Sequence, residues 1–263
     1  MVFIGYFISL IIGLILGLIG GGGAILTIPL LKYFFSVPIE EATSYSLFII
    51  GVSALVGTLM RFKYIPSYLK QAIIFVIPSA ITASLIRLFI LPHIPDQWSI
   101  GTIAFHKGTT LTIVFIFLMI YIGISMLRKP KVIEVHEQSS WIKIVLYAIL
   151  TGMLSGFMGA GGGFIIVPLL MKMGMEMKKA IGTSLVIVTL QSLVAFGADI
   201  LHQYSTNHFF IRLDLLLYLT ALTILGTLVG SYLQRYIPTK WLKIIFAILL
   251  ILVAAGISID VIF

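Results

Sequence analysis

The chain of 263 residues contains no cysteine and few charged residues, and each shortage excludes a class of protein. Without cysteine there is no disulfide framework, no Cys-ligated zinc site and no thiol catalysis. Charged side chains make up 10% of the chain, whereas a typical soluble domain has about 25%. Hydrophobic residues make up 60%, which is too much apolar surface for an intrinsically disordered protein. The composition therefore excludes both disorder and an ordinary soluble enzyme.

Long apolar stretches occupy most of the chain. They lie at 2–19, 24–35, 42–60, 69–91, 109–127, 141–158, 164–175, 180–200, 211–234 and 241–262. A helix that crosses a bilayer needs about 20 such residues, so the pattern predicts an all-α polytopic membrane protein. The first stretch has neither a basic start nor a small-residue cleavage site, and we expect it to be retained rather than removed as a signal peptide.

The sequence repeats itself once. Residues 17–31 and 156–170 align without a gap at an offset of 139, with seven of fifteen positions identical. Further along, 42–50 aligns with 180–188 at an offset of 138. Such self-similarity indicates a duplicated architecture. We therefore predict a first transmembrane repeat at 1–127, a cytoplasmic linker at 128–140 and a second repeat at 141–263, with about five helical segments in each repeat.

The distribution of basic residues predicts that the two repeats are inverted. Thirteen of the 17 basic residues fall in four connectors, at 61–70, 128–143, 172–179 and 235–243. The equivalent connectors of the other repeat are poor in them, so every matched pair differs in charge. The excess of Lys and Arg on cytoplasmic loops then puts these four connectors inside. The prediction is a multi-pass protein of the cell membrane with an odd number of crossings per repeat and both termini outside.

Glycine runs interrupt the apolar sequence at the same place in each repeat. The residues are Gly20, Gly21, Gly22 and Gly23 in the first copy, and Gly159, Gly161, Gly162 and Gly163 in the second. Each precedes a stretch too short to cross alone, which predicts a re-entrant or discontinuous helix. Broken helices in inverted repeats are typical of secondary transporters, whose helix N-termini can bind anionic groups near the midplane. The alternative is that the glycines only permit close helix packing, which we favour for the G-x-x-x-G pairs 13/17, 152/156 and 226/230.

Polar side chains near these breaks are the further candidates for substrate binding. They are Thr27, Ser46, Thr183, Ser184 and Gln191. A hydroxyl in a membrane helix often bonds only to its own backbone, whereas an amide in the middle of a span needs a partner. Asp199 is a candidate for coupling or gating because ionisable groups inside spans are frequently functional. For Arg87, which lies near the outer surface, snorkelling to water is a sufficient explanation.

No residue pattern indicates catalysis, a metal site or a cofactor. All five histidines lie in connectors, and no His, Ser and Asp occur at a common depth. The glycine runs lack the strand and acidic residue of a dinucleotide site and the Lys-Ser/Thr of a phosphate-binding loop. The net charge of +8 is explained by basic cytoplasmic loops and does not require nucleic acid.

The glycine motif resembles that of the sulfite exporter TauE/SafE family of permeases. The two copies read Gly17-x-x-Gly20-x-Gly22-Gly23 with Pro29, and Gly156-x-x-Gly159-x-Gly161-Gly162-Gly163 with Pro168. The resemblance covers the whole chain and implies transport of sulfite or an organosulfonate. One departure is that Gly21 corresponds to Ala160, so the two half-sites need not contact a ligand equally.

Three hypotheses follow. The first is a secondary transporter of a small sulfur-containing anion, working by alternating access with a proton, a sodium ion or no coupling ion. The second is an anion channel on the same scaffold, and the third is a structural membrane protein whose glycines only pack. The sequence leaves the substrate, the direction of transport and the oligomeric state open.

Overall fold

The computed structural model describes residues 2–61, 69–95, 97–100, 103–127, 141–159, 161–205 and 212–262. The predicted linker at 128–140 lies outside these ranges. In the first half the helices are α1 (Val2–Ile19), α2 (Thr27–Phe35), α3 (Ile39–Leu59), α4 (Leu69–Leu85) and α5 (Lys107–Leu127). In the second half they are α6 (Trp141–Met158), α7 (Gly163–Lys172), α8 (Met177–Ser205), α9 (Leu213–Leu233) and α10 (Thr239–Ile262).

Five helices in the described part are long and apolar enough to cross a membrane, judged by length and composition. These segments are Glu41–Leu59, Ala72–His93, Met177–Tyr204, Leu213–Leu233 and Lys240–Ser258. Shorter apolar helices stand on either side of each glycine run, as the sequence predicts. The prediction of an all-α polytopic membrane protein is confirmed.

Three short elements add detail that the apolar pattern does not predict. A π-helical turn at Ile86–Ile90 continues α4 and is followed by a 3-10 turn at Leu91–His93. In the next connector, β1 (Gln97–Ile100) pairs antiparallel with β2 (Ile103–His106). Four-residue strands are too short to be distinguished from a polar connector by periodicity alone.

The chain reverses direction at the first glycine run, so that α1 and α2 form a re-entrant hairpin. A Cβ atom added to Gly5, near the start of α1, would lie 2.7 Å from the ring of Phe35 at the end of α2. At the other end of the hairpin, a Cβ on Gly23 would lie 2.6 Å from the amide nitrogen of Leu16. Of the two predicted forms, a re-entrant or a discontinuous helix, the first repeat therefore adopts the re-entrant one.

Glycines bring α1 and α9 into backbone contact. A Cβ on Gly13 would overlap the carbonyl group of Thr223, and one on Gly17 would overlap the backbone at Thr227. Because the contacts advance together along both helices, α1 and α9 run in the same direction. The interpretation of the G-x-x-x-G pairs as packing surfaces is confirmed, since only glycine allows helices to approach this closely.

Each contact between two helices recurs between their counterparts in the other half. α6 is the counterpart of α1, and its Gly152 and Gly156 pack in the same parallel manner against α4, the counterpart of α9. α5 packs against its own counterpart α10. These contacts have the pattern of a twofold exchange between the halves.

The central pair, α3 and α8, is also a pair of repeat counterparts, and it runs antiparallel. A Cβ on Gly51 would lie 2.8 Å from the side chain of Leu193, whereas one on Gly57 would lie 3.2 Å from that of Leu185. Antiparallel counterparts are what an inverted repeat requires, although the inversion across the membrane stays a prediction.

Candidate functional site

The first glycine run breaks α1 at a single residue. Gly20 has φ 79° and ψ −149°, a conformation that side chains on Cβ disfavour. Its amide still donates to the carbonyl oxygen of Leu16 at 2.9 Å, and a 3-10 helix begins directly afterwards at Gly21–Leu26. The sequence predicts the whole run as the break; in the structure Gly20 alone has the positive φ, and Gly21, Gly22 and Gly23 belong to the 3-10 helix that separates α1 from α2. A buried backbone without water gains by closing helical hydrogen bonds as soon as the geometry permits.

The second glycine run forms a longer break. Gly159, Gly161 and Gly162 have φ values of 67°, 62° and 63°, all in the left-handed region. Gly162 is the N-cap of α7, and its carbonyl oxygen accepts from Ile165 at 3.0 Å. The N-terminus of α7 therefore opens onto a left-handed turn, while that of α2 is preceded by a 3-10 helix. The two breaks differ in conformation despite their shared sequence.

The structure brings the two glycine runs into direct contact. A Cβ on Gly21 would overlap the Cα atom of Gly163, and a Cβ on Gly163 would overlap that of Gly21. All the candidate glycines with described burial are buried. Since most residues of α7 are buried as well, the irregular backbone is enclosed by protein, which is where a bilayer-spanning chain tolerates it.

Two serines at equivalent positions of the repeats form hydrogen bonds with the glycine runs, each with the run of the other half. The hydroxyl of Ser46, on α3, donates to the carbonyl oxygen of Gly159 at 2.6 Å. Its repeat mate Ser184, on α8, accepts from the amide of Gly21 at 3.5 Å. Each of these predicted site residues therefore contacts the break of the opposite half.

Other candidate side chains are buried near the break or on the same helices, and each has a polar atom without a hydrogen-bond partner in the described part of the chain. Gln191 is partly satisfied, because its amide nitrogen donates to the carbonyl oxygen of Thr151 at 3.5 Å. A Cβ on Gly162 would lie 3.4 Å from the amide nitrogen of Gln191, whose Oε1 has no such partner. Ser192, adjacent to it, lies against Gly161 and its hydroxyl is likewise unsatisfied. Thr27 and Thr183 are buried with unsatisfied hydroxyls, but the contacts with the glycine runs described above do not include them. Unsatisfied buried polar groups are rare and call for an explanation such as a ligand.

Arg87 forms a buried ion pair with Asp199. The Arg87 side chain is 1% exposed, and its Nη1 donates to Oδ2 of Asp199, which also accepts from the hydroxyl of Ser44. The snorkelling interpretation of Arg87 is wrong, because a carboxylate partner inside the protein replaces water. The signal was available: a buried charge needs an opposite charge, and both residues fall near the end of a predicted span, at the same outer surface.

This ion pair adjoins the second break. A Cβ on Gly159 would lie 2.7 Å from Nη2 of Arg87. Asp199, the predicted coupling or gating residue, thus reaches the glycine run through Arg87. Ser44, which bonds to Asp199, is not among the predicted site residues.

A second polar cluster, which sequence reasoning missed, surrounds Arg61. Its Nη2 donates to the carbonyl oxygen of Gly17 at 2.6 Å and to Oε1 of Gln234 at 2.7 Å. Burial and the nearby charge of Arg235 lower the pKa of Arg61 to about 10, so it remains protonated at neutral pH. The repeat register could have found this cluster, because Arg61 is the repeat mate of Asp199 at the offset of 138.

Fold and site together define a multi-pass helical membrane protein with an internal polar site at two broken helices. Comparison with known families identifies it further. The chain belongs to the sulfite exporter TauE/SafE family, whose model matches residues 6–257.

Individual relatives carry less specific names. A "probable membrane transporter protein" of Xylella fastidiosa is 33% identical over 177 residues, which cover 65% of this chain and 63% of that protein. One of the same description from Methanocaldococcus jannaschii is 22% identical over 240 residues, covering 88% and 85%. A third, from Bacillus subtilis, is 25% identical over 226 residues, covering 86% and 87%. The match with the Xylella protein thus spans just under two thirds of that relative's length.

Proposed function

We propose that this protein is a secondary transporter that moves a small sulfur-containing anion, such as sulfite or an organosulfonate, across the cell membrane. The observation that carries the proposal is the contact of the two glycine runs at Gly21 and Gly163, with two buried polar atoms nearby, Oε1 of Gln191 and the hydroxyl of Ser192, that have no hydrogen-bond partner among the described residues. Backbone amides and a helix N-terminus favour an anion without requiring a net cationic pocket. The family description supports transport and this class of substrate, and the names of the relatives support transport.

Alternating access is supported by the closeness of the two breaks. Backbone atoms of Gly21 and Gly163 leave no room for an anion to pass between them, so passage requires the α1–α2 hairpin to move apart from α6 and α7. A channel would keep a continuous path in its conducting state. The helix contacts are equivalent in the two halves, so α1 with α2 and α6 with α7 are two equivalent helix pairs that can move in turn. In this proposal the halves 1–127 and 141–263 are inverted, the linker 128–140 lies inside and both termini lie outside.

The predicted binding residues keep their roles in this proposal. The glycine breaks with Ser46 and Ser184 hold the anion, and Thr27, Thr183 and Gln191 tune selectivity. Asp199 is the candidate for coupling to a proton or sodium ion.

Reconstituted vesicles test the transport activity. Purified protein should accumulate labelled sulfite and exchange it with internal unlabelled sulfite at a saturable rate. The double variant Gly22→Leu, Gly162→Leu should lose this activity, whereas Gly256→Leu should keep it, because a Cβ on Gly256 meets nothing within 4 Å. Undiminished transport by a double variant that reaches the vesicles would remove the glycine breaks from the mechanism. Large unitary currents in a planar bilayer, without exchange, would favour the channel.

A further inference from the structure

Arg87 uses only part of its hydrogen-bonding capacity. Its Nη1 is bonded to Asp199 and lies 3.4 Å from the hydroxyl of Ser44. Nε and Nη2 are buried and have no hydrogen-bond partner among the residues that the structure describes. Hydrogen bonds to charged groups are stronger than those between neutral groups, and leaving such buried donors unsatisfied is correspondingly costly.

The two unsatisfied nitrogens belong to one edge of the guanidinium. In arginine the N–H of Nε and one N–H of Nη2 point in the same direction, as a planar fork. This edge matches two oxygens of a carboxylate, phosphate or other oxyanion, and such bidentate pairs are among the strongest hydrogen bonds in proteins. Because Asp199 and Ser44 hold the opposite side of the group, the free edge has a fixed orientation.

The free edge lies at the second glycine break. A Cβ on Gly159 would lie 2.7 Å from Nη2 and would also overlap Thr43, so a larger residue would fill the space in front of the guanidinium. The carbonyl oxygen of Gly159 is already engaged by Ser46. The edge therefore stands beside Gly159, at the start of the glycine run whose left-handed residues Gly161 and Gly162 lead into the N-terminus of α7.

The polar cluster around Arg61, in the other half, offers no equivalent free edge of a guanidinium. There the Nη2 of Arg61 is occupied by the carbonyl oxygen of Gly17 and by Gln234. Nη2 belongs to the same edge that is free in Arg87, so Arg61 cannot present an unoccupied pair of donors. The two halves of the protein thus differ in the chemistry that they can offer to an anion.

We propose that the Nε–Nη2 edge of Arg87 is the charged arm of the anion site, so that substrate binds at the second break rather than symmetrically between the two. The ligand class is an oxyanion with two adjacent oxygens, such as sulfite or a sulfonate. This assignment rests on the proposed transport function. Asp199 acts as a positioning residue that orients the guanidinium and balances its charge.

Calorimetric titration of the purified full-length chain in nanodiscs, with sodium sulfite and separately with sodium bromide, tests the proposal. Arg87→Lys keeps the charge but removes the two-donor edge. It should weaken sulfite binding about tenfold, or about 1.4 kcal/mol, while bromide binding changes less than about twofold. A residue with only a structural role would change both anions together. Arg61→Lys is the matched control and should leave the sulfite-to-bromide ratio unchanged.

A second variant covers the case in which lysine disturbs the fold. Arg87→Gln with Asp199→Asn removes both charges together, leaving no unpaired ion, and should abolish sulfite binding in protein that still elutes as a folded species. If either variant binds sulfite within about twofold of the wild type, the assignment of Arg87 is overturned while the proposed function stands. If the wild type itself binds neither sulfite nor a sulfonate, both proposals fail together.

Discussion

Arg61 and Asp199 occupy equivalent positions of the two repeats, 138 residues apart, and each belongs to a polar cluster, half-buried at Arg61 and buried at Asp199. Arg61 follows the end of α3, whereas Asp199 lies in the last turns of α8. Because α3 and α8 run antiparallel, the clusters lie at opposite ends of this central pair. One end is held by an ion pair and the other by a cation bonded to neutral oxygens, so opposite charges occupy equivalent positions.

Removing one partner of the Arg87–Asp199 ion pair should destabilise the protein much more than removing both. Asp199→Leu leaves Arg87 buried without its partner and should lower the free energy of unfolding by about 3–5 kcal/mol. Adding Arg87→Met should recover most of that loss, because a neutral apolar pair carries no desolvation cost. Denaturant unfolding in mixed micelles measures the cycle, and a double variant as unstable as the single one would contradict the prediction.

The contact between the glycine runs predicts intolerance of even a methyl group. Gly21→Ala and Gly163→Ala should each destabilise the protein by about 1–3 kcal/mol, because the facing backbone must move to admit the Cβ. Gly256→Ala serves as the control, since its Cβ enters open space and alanine favours the helix. Thermal unfolding in detergent should separate the variants, and equal melting temperatures for all three would refute the close contact.

Backbone strain and packing can be measured separately at two glycines with positive φ. Gly174 has φ 87° and nothing within 4 Å of its Cβ position, so Gly174→Ala should cost about 1–2 kcal/mol from strain alone. Gly159→Ala adds overlap with Thr43 and Arg87 to similar strain and should cost more. The difference between their unfolding free energies measures how much of the Gly159→Ala destabilisation comes from overlap with neighbouring residues. A Gly174 variant at least as unstable as the Gly159 variant would show that this overlap contributes nothing.

The absence of cysteine makes the topology directly testable. Ser67→Cys and Asn207→Cys place single thiols in equivalent connectors of the two repeats. If the repeats are inverted, a membrane-impermeant maleimide added outside intact cells should label the cysteine at 207 and not the one at 67. Labelling of both cysteines from one side would instead mean that the repeats are parallel. Ser139→Cys, in the predicted linker 128–140, should react only after the membrane is opened.

Much of the fold could be predicted because it depends on local sequence. Apolar length indicates each membrane helix, and the matched glycine runs locate the breaks within a residue or two. The serines 46 and 184 were identifiable because the repeat register aligns them. By contrast, Gly20 alone has a positive φ in the first run, while Gly159, Gly161 and Gly162 all have one in the second. Local composition cannot separate these outcomes, since glycine permits both helical and left-handed backbone.

The sequence by itself determined the membrane class, the duplication and the positions where helices must break, because hydrophobic length and glycine content act through neighbouring residues. Only the tertiary structure decided that Arg87 turns inward to Asp199 and that Gly21 meets Gly163. Those choices depend on pairing between distant helices. A buried charge has no stable position until packing supplies its partner, and that partner lies 112 residues away in the sequence.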